Sequence, residues 1–128
     1  MGLKVIQTEG APAAIGPYSQ AVQAGEWLFV SGQIGLKPET GQMVGEDFSD
    51  QARQTLQNLV NIVRAGGCDI QDVVSVDVFL TDMGRFSTFN VLYEAVFSEH
   101  KPARAVVEVR ALPRGAQVEI KCVACRMA

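Results

Sequence analysis

Val73-Val-Ser-Val-Asp-Val-Phe-Leu80 holds four valines, a phenylalanine and a leucine in eight positions. β-Branched side chains are stiff about χ1 and fit a pleated surface, so this stretch predicts a central strand. On its N-terminal side the period changes. From Ser49, Ala52, Leu56, Leu59, Val60 and Val63 recur at helical spacing, and Gly66-Gly67 supplies the stop. On its C-terminal side a second helix is expected from Thr81 or Asp82, with Phe86, Phe89, Tyr93, Val96 and Phe97 on one face, ending before Pro102. Those aromatics read as core.

Further out, residues 4–8 read as a short strand, followed by an Ala/Pro/Gly-rich loop over residues 10–17. Residues 18–24 and 27–32 read as two strands joined at Gly25-Glu26, where a leading glycine suits a type II′ hairpin turn. Lys37-Pro-Glu-Thr-Gly41 is a turn, and the chain stays irregular until Phe48. Asp69 to Asp72 reads as a capped turn. Two last strands, 104–110 and 118–123, flank Leu112-Pro-Arg-Gly115. The order β-β-β-α-β-α-β-β predicts an α+β fold, a single mixed β-sheet with two helices packed on one face. The other face is left bare, which suits burial between subunits.

At 128 residues the chain is expected to form one domain, 1–128. With 48% hydrophobic and 20% charged residues it is far from disordered composition. Its net charge of −3, from 11 basic and 14 acidic residues, offers no basic field, so nucleic acid is not the expected partner. No apolar run approaches the ~20 residues of a membrane helix, and the first ten residues lack a signal-peptide core. A cytoplasmic location is expected, without a lipid anchor, since Ile6 stands where a myristoylation motif needs Ser or Thr. Three cysteines suit a reducing compartment. Cys122 and Cys125 lie in an alternating stretch that sends them to opposite faces, and His100 is the one histidine, so no metal site is expected. His100 reads as a solvated residue at the end of the second helix.

Walker, G-x-G-x-x-G, G-x-S-x-G and H-E-x-x-H motifs are all missing, and a Ser-His triad would have to use His100. The ionisable residues within apolar strands remain: Arg104, Glu108, Arg110, Glu119 and Lys121. Alternation puts Arg104, Val106 and Glu108 on one face of their strand, and Glu119 and Lys121 opposite Val118, Ile120 and Cys122 on theirs. Arg104 and Glu119 are therefore expected to project together from the side away from the helices. Periodicity alone admits two readings, solvated or subunit-bridging ion pairs and a chemical site.

Pro102-Ala-Arg-Ala-Val-Val-Glu-Val-Arg-Ala-Leu-Pro-Arg-Gly-Ala-Gln-Val-Glu-Ile120 resembles the signature of the Rid, or YjgF, family of reactive intermediate imine deaminases. Gly16-Pro-Tyr-Ser-Gln-Ala21 and Val30-Ser-Gly-Gln-Ile34 resemble its N-terminal blocks, in register along the chain. The resemblance implies a chorismate-mutase-like homotrimer with clefts between subunits, no cofactor, and hydrolysis of 2-aminoacrylate/2-iminopropanoate and 2-iminobutanoate to 2-oxo acids and ammonia. In that reading Arg104 binds the substrate carboxylate through its planar fork. Glu119 activates the attacking water. Tyr18 closes the pocket, or else packs with its hydroxyl on a backbone group. Backbone groups of Gly32 and Val106 line the site, with Ser31 nearby, Pro113 on the wall and Asn90 adding polar lining. Val106 departs from the cysteine found there in many members, which changes pocket volume and removes a thiol. Two other readings accompany this one: a ribonuclease or translation inhibitor, and a non-catalytic trimer that binds small carboxylates.

Overall fold

The computed structural model describes residues 2–126. The valine-rich stretch forms strand β4, Val73–Leu80, and its alternation sorts the side chains cleanly: Val76, Val78 and Leu80 are buried while Ser75, Asp77 and Phe79 are half-exposed. Five further strands complete one sheet: β1 (Lys4–Ile6), β2 (Ala21–Ala24), β3 (Trp27–Gln33), β5 (Ala103–Glu108) and β6 (Val118–Cys125). Their spatial order is β1-β2-β3-β6-β4-β5. All neighbours run antiparallel except β4 and β5, which are parallel and joined through a helix, as a parallel pair requires. The mixed α+β sheet with two helices agrees with the sequence expectation.

Helix α1 (Phe48–Ala65) opens where the Asp47 carboxylate accepts from the Asp50 N–H at 3.0 Å. Ala52, Leu56, Leu59 and Val63 are buried on one stripe, against Leu28 and Val30 of β3 and Ile120 and Cys122 of β6 in the same core. The second helix starts later than the apolar pattern suggests. Asp82 caps a single 3-10 turn, Met83–Arg85, and α2 proper runs Phe86–Val96. Phe89, Tyr93 and Phe97 are buried, with ring centroids 5.6 and 4.7 Å apart along the row.

The face away from the helices is open and exposes several large apolar side chains around Asp77, Lys121 and Glu119. Val5, Trp27, Phe29 and Val107 are 62, 46, 49 and 45% exposed on it. The hairpin between β2 and β3 has Ala24 opposite Trp27, so its loop is Gly25-Glu26, with Gly25 at φ 61° and Glu26 outside the left-handed region. Positive φ at the first central residue alone is the type II′ pattern.

Several boundaries differ from expectation. The β1 strand stops at Ile6 and β2 begins at Ala21, and the Gln20 side chain just before β2 turns inward to hold the loop. The β5 strand ends at Glu108, and β6 extends to Cys125 beside Trp27. Cys68 and Cys122 are buried free thiols. His100 is not a solvated helix end: it lies beyond α2, with Nε2 2.6 Å from the Val73 carbonyl oxygen. No described helix is long and apolar enough to cross a membrane.

Candidate active site

Strand β6 turns Val118, Ile120 and Cys122 into the core, so Glu119 emerges on the bare face opposite Phe79. Its other neighbour, β3, shifts register between Val30 and Gln33, and Gly32 lies in that irregularity. A Cβ on Gly32 would overlap the Glu119 carboxylate, so the absence of a side chain there is what lets the carboxylate rest on the strand. Burial pushes the Glu119 carboxyl above the usual range, partly offset by Lys121. Among the described residues none donates a hydrogen bond to it.

Glu119 opens into a cleft of about 570 Å³ whose walls include Ile15, Tyr18, Ser31, Gly32 and Pro113. Tyr18 is 53% exposed, which excludes its reading as a buried packing tyrosine within this chain. The Ser31 hydroxyl donates to the Ser19 carbonyl at 2.5 Å, and its N–H to the Gln20 carbonyl at 2.9 Å, tying β3 to the Tyr18 segment. Buried amides hold the loops. The Gln20 amide donates to the Thr8, Ala11 and Pro12 carbonyls and accepts from the Thr8 N–H. Asn58 of α1 donates to the Ile34 and Leu36 carbonyls at 3.1 and 2.9 Å. Gln51 donates to the Gly45 carbonyl and accepts from the Gln117 N–H, anchoring the segment after Pro113.

Arg104 is elsewhere, which corrects the expectation that it shares a face with Glu119. The parallel register sets Arg104 beside Val76, Val106 beside Val78 and Glu108 beside Leu80, so all three point to the helix side. Alternation identifies which residues travel together; the pairing partner decides which way they face. The Arg104 side chain, on the open edge strand, donates from Nη1 to Asn90 Oδ1 of α2 at 2.9 Å. Its guanidinium carbon stands 4.7 Å from the Tyr93 ring centroid and 5.8 Å from that of Phe86. A second cleft of about 380 Å³ opens here, lined by Asn90, Tyr93, Phe97, Lys101 and Arg104 among others. Val106 turns its side chain toward the core, and the Glu108 carboxylate caps the 3-10 turn by accepting from the Met83 N–H at 2.7 Å.

Within one chain, then, Tyr18, Ser31, Gly32, Pro113 and Glu119 gather on the bare side, while Arg104 and Asn90 gather on the helix side. The sheet and two strand spacings, roughly 10 Å laterally, lie between them. Sequence reading missed Arg114, which lines the Glu119 cleft, and it took Tyr93 and Phe86 for core alone. Phe86, Asn90 and Tyr93 fall at i, i+4 and i+7, a spacing that marks one helix face and could have grouped them. Among the described residues no three His, Cys, Asp or Glu side chains gather as metal ligands.

The model of one protein family, Endoribonuclease L-PSP, matches residues 8–126. A mouse protein named 2-iminobutanoate/2-iminopropanoate deaminase is 50% identical over 121 residues, covering 94% of this chain and 90% of its own. The crystal structure of the Escherichia coli YjgF gene product superposes with a TM-score of 0.92 at 46% identity, covering 97% of this chain and 99% of that one. Escherichia coli TdcF, crystallised with bound serine, also gives 0.92, at 42% identity and with 97% and 99% covered.

Proposed function

The chain belongs to the Endoribonuclease L-PSP (YjgF) family, and from that membership we propose that it hydrolyses small 2-imino acids and their enamine tautomers to 2-oxo acids and ammonia. The reading is supported by the deaminase name of a relative half identical to this chain and by the serine bound in TdcF, an amino acid of the same size class. The observation that carries it is the partly desolvated Glu119 carboxylate lying on Gly32 at the floor of an open cleft.

The chemistry needs an anchor and a proton carrier. Arg104 holds the substrate carboxylate through two parallel N–H bonds, which fixes the imine carbon relative to the base. Glu119 takes a proton from water as the oxygen attacks that carbon and returns it to the imine nitrogen, giving a neutral tetrahedral aminoalcohol. The same carboxylate then carries the hydroxyl proton to the nitrogen, and ammonia leaves with the C–N bonding pair as the carbonyl forms. A carboxyl with a raised pKa suits both halves, since it gives up the proton less reluctantly than water and holds it less weakly than an ordinary glutamic acid. Tyr18 closes the cleft, Ser31 and Gly32 shape its floor, Pro113 its wall, and the Val106 backbone and Asn90 flank the anchor.

Because Arg104 and Glu119 stand on opposite sides of the sheet, the complete site joins the Glu119 cleft of one subunit to the β5 edge of the next. A closed, chorismate-mutase-like homotrimer buries the bare faces and forms three such sites. The acidic balance of the chain, −3, favours a small-molecule substrate over RNA. A threonine dehydratase that generates 2-iminobutanoate in place supplies the assay: imine decay above its spontaneous rate is expected, and it should fall tens- to thousands-fold in folded Arg104→Ala, the roughly 2–5 kcal/mol of a lost charge-paired contact. Decay at the spontaneous rate in wild type, with 2-oxobutanoate still bound, would instead mark a carboxylate-binding protein.

A further inference from the structure

Arg104 extends from an exposed edge strand, and a long side chain in that position is ordinarily free to rotate. Bidentate binding of a carboxylate needs the guanidinium plane fixed. The bond from Nη1 to Asn90 holds one nitrogen and leaves the fork free to turn about that contact. The remaining constraint is aromatic: the Tyr93 ring lies closest, at 4.7 Å, with Phe86 farther out at 5.8 Å. Tyr93 is itself immobilised, being 8% exposed and packed between Phe89 and Phe97.

We propose that Tyr93 is a positioning residue, its ring the platform that sets the plane and reach of the Arg104 fork. The inference rests on the reading of Arg104 as the carboxylate anchor. The ring, not the hydroxyl, does this. Tyr93 Oη is sealed from solvent and has no hydrogen-bond partner among the described residues, so it does not touch a ligand in the cleft. The row Phe89–Tyr93–Phe97 thus transmits the rigidity of the core to a side chain at the molecular edge. An arginine resting on an aromatic face keeps its five N–H groups for in-plane partners, which is the geometry a carboxylate requires.

The test measures 2-oxobutanoate binding and 2-iminobutanoate turnover for Tyr93→Leu and Tyr93→Phe, each in the wild-type and Arg104→Ala backgrounds, with circular dichroism confirming the fold. Tyr93→Leu is expected to raise the Kd and KM roughly 3- to 10-fold with a smaller change in kcat, as loss of a cation–π contact implies. Tyr93→Phe restores both values, and Tyr93→Leu adds nothing once Arg104 is absent. Phe86→Leu, at a half-exposed position, gives a smaller effect of the same sign and stands in should Tyr93→Leu not fold. The platform is overturned if either leucine variant leaves the Kd unmoved, or if Tyr93→Leu costs the same factor in Arg104→Ala. An Arg104→Ala protein that binds 2-oxobutanoate as wild type does overturns the anchor itself, and the platform with it.

Discussion

At the scale of single residues, the site depends on what Glu119 is denied. Its half-buried carboxylate rests on the Gly32 backbone, partly stripped of water, with Lys121 the charge that offsets its burial. Ionising a carboxyl raised in this way costs the fold. Glu119→Gln is therefore expected to unfold at a higher temperature than wild type near pH 8, with the advantage shrinking as pH falls and vanishing below the pKa of an unfolded glutamate. The sign follows because the raised group favours the folded state only when protonated. Turnover runs the opposite way: wild-type kcat/KM should fall on the acid side at a pH above the ordinary carboxylate range, and Glu119→Gln should lose about 10²–10⁴-fold with that limb erased. Gly32→Ala is a second probe, since the added methyl must evict the carboxylate from its seat. Its expected signature is a collapsed kcat with the Arg104-dependent affinity for 2-oxobutanoate retained. Elsewhere, burial pushes the Cys122 thiol up to about 12 and the Cys68 thiol above its usual value, so neither should react with a disulfide reagent at pH 8 until the protein is unfolded.

At the scale of elements, the cleft walls are loops held by buried amides. Gln20 is the most heavily used, with three carbonyls and one N–H on a side chain that is 3% exposed. Gln20→Glu keeps the shape and loses the donor, leaving those carbonyls facing a buried carboxylate. A loss of about 3 kcal/mol in denaturant unfolding at pH 7 is expected, smaller at pH 4. Arg114 offers the reverse test. It sits at φ 61°, ψ 22°, a left-handed conformation that disfavours side chains, so Arg114→Gly should be neutral or stabilising by up to about 1 kcal/mol. What could be read beforehand follows from where the information lies. The ends of β4 were legible because four valines, a phenylalanine and a leucine occupy six of eight positions, and α1 because its stripe is unbroken between Asp47 and Gly66. The start of α2 was not, since Asp82 caps a tighter turn that the apolar period runs straight through. The grouping of Arg104 with Val106 and Glu108 was legible in the alternation. Their direction was not, because it depends on Val76 lying beside Arg104 in a parallel pair separated by a helix. The Gly32 seat for Glu119 arises from a bulge between β3 and β6, contacts some 87 residues apart that no local pattern encodes.

At the scale of the whole molecule, the placement of the two charged groups makes an assembly test available. If the site joins neighbouring subunits, Arg104→Ala and Glu119→Gln are each inactive alone, yet a mixture denatured and refolded together should regain about a quarter of wild-type activity. In random hybrids one interface in four pairs an intact Glu119 with an intact Arg104. A site contained in one subunit predicts no recovery from any mixture. Light scattering at micromolar concentration should give three chains per particle, with Trp27 fluorescence shifting to longer wavelength when the particle is dissociated, because that side chain belongs to the open face.

The sheet that stands between Arg104 and Glu119 also acts as an insulator. If the proposed two-subunit site is right, a lone chain holds both reagents without bringing them to the same substrate, so a newly made or diluted subunit should be chemically silent. Specific activity then becomes a gauge of crowding: on serial dilution it should hold level and then drop steeply, with a slope greater than one, at the concentration where association fails. A cell expressing the protein sparsely would gain little scavenging from each added chain until that threshold is crossed.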